Sequence, residues 1–254
     1  MTLAWPGILH ALCAALVLAF PFIDLPATKR LKRHTSRDGR LRLYRLGVCT
    51  AWPLALLLLI SAGNTQPWAL TPHGSELAWL EIPWLRATSW VLLAAFFTLA
   101  FWPGLHTLLA PEQRPRYARA MRRLRFMTPV SRQERWWWVA VSITAGVCEE
   151  WLYRGFLLHY LAGNLAGGPT LGLTAAWLLS SIAFGVAHLY QGRHGMVSTG
   201  IAGLAFGLMA LLTGSLWLPM LVHSLIDLQV LVIYHPARDA PEEAAALVAG
   251  CSGE

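Results

Sequence analysis

Apolar runs alternate along this chain with short polar stretches that hold most of the charge. The runs cover residues 3–26, 46–62, 89–110, 136–162, 170–190, 196–213 and 216–234. Crossing a bilayer as a helix takes about 20 apolar residues, with a range of about 17–25, and each run approaches or meets that length. The pattern therefore predicts an all-α fold, a polytopic transmembrane helical bundle of about seven spans. No internal repeat is visible. The Pro- and Trp-rich connection 63–88 carries Trp68, Trp79 and Trp84, which suit a membrane interface, as does the triplet Trp136, Trp137 and Trp138.

Composition agrees with this picture. Hydrophobic residues make up 56% of the 254 positions and charged residues only 13%, against about 25% charged in a soluble domain. That excludes a soluble enzyme with a large core. The net charge of +7 raises the question of nucleic acid, but 16 of the 20 Lys and Arg residues fall in two stretches, 29–45 and 114–135, both between apolar runs. That is the signature of cytoplasmic loops, so we expect no nucleic-acid partner. The first run has its basic residues after it, so it reads as a retained helix and not as a signal peptide. These assignments put the N-terminus outside and the C-terminus in the cytoplasm.

Smaller features refine the expectation. Tyr117, Met121, Leu124 and Met127 among the arginines of 114–135 suggest a basic amphipathic helix on the inner membrane surface; a solvated linker is the alternative. Gly200, Gly203 and Gly207 allow close helix approach, within the bundle or between copies, and the oligomeric state stays open. Cys13, Cys49, Cys148 and Cys251 are scattered, which argues against disulfides and a Cys-based metal site. Cys148 reads as a packing residue and not a nucleophile. The tail 235–254 is expected to be mobile.

The chemistry is concentrated where charge meets apolar sequence. Glu149 and Glu150 lie in the middle of the run 136–162, with Arg154 four residues after Glu150. Ionisable groups at membrane depth are costly and mark a site by default. Helical spacing puts Glu150 and Arg154 on one face, which predicts a structural ion pair and leaves Glu149 free to face a polar cavity. A desolvated carboxylate there suits a general base working near neutral pH. His188 follows Phe184 by one turn near the inner end of the fifth run. His223 and Asp227 form a second one-turn pair in the seventh. Such a pair can be a proton relay, half a metal site or an oxyanion donor with its carboxylate.

The order Glu149-Glu150…Arg154, then Phe184…His188, then His223…Asp227, resembles the CPBP family. These are CAAX-processing prenyl-protein endopeptidases and their bacterial bacteriocin-processing or self-immunity relatives. The stretch Tyr153-Arg154-Gly155-Phe156-Leu157 also resembles the family's continuation. The resemblance covers residues 136–234 and divides the chain into N-terminal transmembrane helices with basic loops (1–135), a catalytic four-helix core (136–234) and the tail (235–254). It implies an intramembrane endopeptidase in which Glu149 and His188 activate water. His223 and Asp227 would stabilise the oxyanion, and Glu150, Arg154 and Phe184 would organise the site. Prenyl-processing members carry Asn where this chain has Asp227. An ionised Asp cannot donate a hydrogen bond, so Asp227 is either protonated or orients His223; we expect the second.

We expect no cofactor. The alternative is zinc held by Glu149, His188 and His223, although no HExxH is present. The expected partners are the lipid bilayer and a membrane-anchored protein or peptide substrate, in what looks by composition like a bacterial cytoplasmic membrane. Two other functions compete. One is a non-catalytic immunity or scaffold membrane protein. The other is a proton-coupled transporter, disfavoured by the lack of repeats.

Overall fold

A computed structural model of the protein describes residues 10–11, 13–19, 22, 25–33, 35–61 and 77–235. Half of the first apolar run, Trp68, the greater part of 63–88, Cys251 and the tail 236–254 lie outside the described residues. Among the described residues, ten α-helices follow a π-helical turn at Ala15–Ala19: α1 (Leu25–Arg33), α2 (Arg37–Ser61), α3 (Pro83–Leu109), α4 (Arg114–Ala120), α5 (Arg132–Thr144), α6 (Leu158–Asn164), α7 (Gly168–Ala187), α8 (Arg193–Thr213), α9 (Trp217–Leu228) and α10 (Val230–Ile233). The described residues form an all-α bundle, as expected. Four helices among the described residues are long and apolar enough to cross a membrane: α2 over Arg37–Leu58, α3, α7 and α8. A shorter apolar stretch spans Trp217–Ile233.

Several boundaries differ from the sequence reading. The stretch 29–45 is largely helical: α2 begins at Arg37, nine residues before its apolar run. What sustains helix through those basic residues is a partner. Buried Arg40 donates from Nε to Glu134 Oε1 at 2.6 Å. Glu134 in turn accepts backbone N–H bonds from Val130 at 3.0 Å and Ser131 at 2.6 Å, while Ser131 Oγ accepts from the Glu134 N–H. This reciprocal cap starts α5. Helix α3 begins at Pro83, a favourable first-turn residue, and so absorbs six residues of the expected loop.

The stretch 114–135 is not one amphipathic helix. It folds as α4, a 3-10 turn at Met121–Leu124 and an irregular link to Ser131. Besides the Arg40–Glu134 pair, Tyr117 Oη lies 2.7 Å from His106 Nδ1, and Tyr44 Oη donates to the Met127 carbonyl at 2.6 Å.

The expected fourth span is helical from Arg132 to Asn164 but not uniformly α-helical. Between α5 and α6 the chain passes through π turns at Ala145–Glu149 and Trp151–Leu157. Single π turns inside helices are uncommon and tend to sit at functional sites. Here they contain Glu149 and Arg154 and flank Glu150.

Helices in lipid gain little from burying apolar surface against one another, so close backbone approach and polar contacts hold them together. A Cβ on Gly185 would lie 2.7 Å from the Met196 carbonyl oxygen, and one on Gly203 would lie 3.2 Å from Ser181 Cα. The α7–α8 pair is therefore packed through small residues, and Gly200, Gly203 and Gly207 all face neighbours within the bundle. Gly146, one turn before the carboxylates, admits α9: a Cβ there would lie 2.7 Å from the Met220 carbonyl oxygen. Trp138 Nε1 adds a bond to the Asp227 carbonyl oxygen at 3.0 Å. These contacts bring His223 onto the carboxylates.

Candidate active site

Glu150 is the fixed centre of the site. Its side chain is fully buried, and Oε1 accepts from Arg154 Nη1 at 2.9 Å and from His223 Nδ1 at 2.9 Å. Arg154, itself 1% exposed, donates from Nη2 to the Gly203 carbonyl at 3.0 Å. Its guanidinium lies 4.4 Å from the centre of the Phe184 ring and 5.4 Å from that of Phe206. Breaking such a buried pair by removing one partner typically costs about 3–5 kcal/mol, because the other charge is stranded.

Around this centre stand Glu149, His188, His223 and Asp227. The Glu149 side chain is 26% exposed, yet its Oε2 is buried and has no hydrogen-bond partner. That oxygen lies 3.8 Å from His188 Nε2 and 3.9 Å from His223 Nε2. His188 caps the end of α7, and its Nδ1 is 2.8 Å from the Phe184 carbonyl oxygen. A carbonyl only accepts, so His188 Nδ1 carries a proton; the same holds for His223 Nδ1 on Glu150. Both Nε2 atoms therefore point toward Glu149 with their other nitrogen already committed. Asp227 Oδ2 is 3.9 Å from His223 Nε2, and the Asp227 side chain is the most exposed of the group at 35%.

All seven residues singled out from sequence thus come together. Their pairing differs in one respect: the carboxylate bonded to His223 is Glu150, whereas Asp227 stands off its other nitrogen. Glu150 serves Arg154 and His223 at once. Sequence reasoning missed Phe206, which stacks on the His223 ring (centroids 5.0 Å apart, planes inclined by 20°) while Phe184 meets that ring edge-on at 5.8 Å. The small-residue run Gly200, Gly203 and Gly207 signalled that this face of α8 is closely packed, and Phe206 lies beside it. Cys148 is a buried free thiol, in keeping with a packing residue; Cys13 and Cys49 are also free.

A zinc set was the alternative use for these groups. Two ligand atoms, each about 2.1 Å from a tetrahedral ion, lie about 3.4 Å apart, closer than either Glu149–histidine separation here. Among the described residues no three His, Cys, Asp or Glu side chains form a group that could hold a metal ion. As they stand, the Glu149–His188 and Glu149–His223 separations are wider than a tetrahedral zinc set requires.

The family model described as Type II CAAX prenyl endopeptidase, Rce1-like, matches residues 131–229. The matched region runs from the cap of α5 through α9 and contains every residue of the site. No curated protein and no solved structure matches the chain. The family match and the apolar helices both point to an integral membrane protein similar to the CAAX-type intramembrane endopeptidases. Residues 131–229 of the chain are thus similar to the CAAX-protease, or CPBP, family.

Proposed function

We propose that the protein hydrolyses a peptide bond of a membrane-anchored protein or peptide with water activated by Glu149 and His188. The observation carrying this reading is the partnerless, buried Oε2 of Glu149, set between the Nε2 atoms of two histidines. A water oxygen about 2.8 Å from Glu149 Oε2 and from His188 Nε2 spans the 3.8 Å gap with ordinary hydrogen bonds. Glu149 takes the proton as the water oxygen attacks the scissile carbonyl carbon, and His188 holds the water's second hydrogen. The carbonyl π electrons move onto oxygen. His223, as an imidazolium held by Glu150, donates from Nε2 to that oxyanion, and Asp227 balances its charge. Collapse breaks the C–N bond, and Glu149 returns its proton to the departing amine. Glu149 is thus first general base and then general acid.

The substrate class follows from the setting. A site built at the middle of apolar helices meets peptides that are themselves held in the membrane. A bacteriocin leader or the C-terminal anchor of a surface protein fits a bacterial chain; a prenylated C-terminal CAAX peptide is the class named by the family. With residues 29–45 and 114–135 placed in the cytoplasm by the positive-inside rule, His188 lies toward that side and the opening faces the inner leaflet. The test is cleavage of two internally quenched peptides by purified protein in lipid nanodiscs. One is a farnesylated CAAX peptide and the other an unprenylated transmembrane peptide. Cleavage of either that disappears in Glu149→Ala supports the reading. Cleavage unchanged in Glu149→Ala sinks it.

A further inference from the structure

Tyr153 has no part in the hydrolysis proposed above. Tyr153 is 1% exposed, and its hydroxyl is buried without a hydrogen-bond partner. A buried hydroxyl with no bond is a standing cost to the fold, and such groups call for an explanation. Packing accounts for the ring alone, which meets Phe184 edge-to-face at 5.1 Å. Phe184 in turn touches both histidines, at 4.8 Å from the His188 ring and 5.8 Å from the His223 ring.

Its position on the helix relates it to the chemistry. Tyr153 follows Glu149 by four residues, as Arg154 follows Glu150. Helical side chains lean back toward the N-terminus and over the preceding turn. Arg154 does this visibly, reaching Glu150 at 2.9 Å. The same spacing sets Tyr153 one turn after Glu149, and the Phe184 ring on which it packs also meets the His188 and His223 rings.

Among the charged groups the proposed hydrolysis has a single oxyanion donor, His223 Nε2. Glu149 and Asp227, as carboxylates, only accept. The Nδ1 protons of His188 and His223 are committed to Phe184 and Glu150, and two Arg154 nitrogens are bonded to Glu150 and Gly203. That leaves His223 Nε2, which carries a hydrogen only when the ring is an imidazolium.

We propose that the Tyr153 hydroxyl is a second oxyanion donor, bonding the carbonyl oxygen of the scissile peptide as negative charge develops there. The inference rests on the peptidase reading. No proton leaves tyrosine: water's proton goes to Glu149, the carbonyl π electrons go to oxygen, and the Tyr153 O–H donates to that oxygen until the C–N bond breaks. The hydroxyl is left without a partner in the free protein because its partner arrives with the substrate.

The test compares wild type, Tyr153→Phe and Glu149→Gln on whichever of the two quenched peptides wild type cleaves, with melting temperature measured in the same nanodiscs. Removing one oxyanion donor lowers kcat about 10²–10³-fold. Tyr153→Phe should show that fall with little change in KM and a melting temperature equal to or above wild type, since an unsatisfied hydroxyl has been removed. Wild-type kcat in Tyr153→Phe beside an inactive Glu149→Gln would overturn this inference and leave the peptidase reading standing. A lowered melting temperature with a matching loss of active protein would also overturn it, by making the hydroxyl structural. A fully active Glu149→Gln, or no cleavage of either peptide by wild type, would overturn the peptidase reading and this inference with it.

Discussion

Gly146→Ala should disconnect the site without touching any polar group in it. Gly146 sits one helical turn before Glu149 and Glu150, facing the stretch of α9 that carries His223. A Cβ there would lie 2.7 Å from the Met220 carbonyl oxygen and 2.8 Å from the Ser224 amide nitrogen. Both are backbone atoms of a helix and cannot rotate away. Restoring ordinary contact moves α9 back by about 0.6 Å, and overpacking of this kind typically costs about 1–3 kcal/mol. The Glu150–His223 bond, now 2.9 Å, then approaches the limit of a hydrogen bond, and Glu149 loses its spacing to His223. Misplacement of reacting groups by about 1 Å costs on the order of 100-fold in rate. We expect at least a tenfold fall in kcat, accompanied by a lower melting temperature in nanodiscs. Gly163→Ala is the control, because a Cβ there meets nothing within 4 Å. Wild-type activity and melting temperature in Gly146→Ala would refute the claim that close approach at Gly146 sets the site's geometry.

Other perturbations probe the same framework. Arg154→Met strands Glu150 with His223 alone and should destabilise the protein by about 3–5 kcal/mol, read as loss of folded protein on size-exclusion chromatography; a monodisperse, fully stable variant would contradict the ion-pair account. Glu134→Ala removes the carboxylate from buried Arg40 and the acceptor for two backbone amides, so a loss of similar size, about 3–5 kcal/mol, should appear in thermal unfolding, and an unchanged midpoint would refute it. Phe206→Leu keeps an apolar side chain but loses the stack on His223. An aromatic pair contributes about 0.5–1.5 kcal/mol, so kcat should fall by up to about tenfold while most of the protein remains folded; an unchanged kcat would show that the stack does not position His223.

Much of this was legible in the sequence because membranes simplify the code. Apolar runs of spanning length predicted helices, and α7 and α8 appear within a few residues of their expected limits. The site was legible for a related reason: Glu149, Glu150, Arg154, His188, His223 and Asp227 stand out against apolar neighbours, and a bundle has few places to put them other than together. What remained hidden depends on contacts. Arg37–Arg45 read as a loop because hydropathy does not see that Arg40 finds Glu134. The signal for the α5 cap, Ser131 followed three residues later by Glu134, was present in the sequence and was not read. The π turns around Glu149 have no pattern in residue type, since they arise from how the strand of backbone accommodates its neighbours. The sharing of Glu150 by Arg154 and His223 could not be read either, because the relation of α9 to the π-helical stretch is set by Gly146 and by the Trp138 bond to the Asp227 carbonyl.

The most direct test of the account is hydrolysis of a membrane-anchored peptide by purified wild-type and Glu149→Gln protein in nanodiscs, each with and without a zinc chelator, with products identified by mass spectrometry. The account predicts cleavage at one peptide bond by wild type, undiminished by the chelator, and none by Glu149→Gln that is nonetheless folded. Cleavage by Glu149→Gln at the wild-type rate, or its abolition in wild type by the chelator, would contradict it.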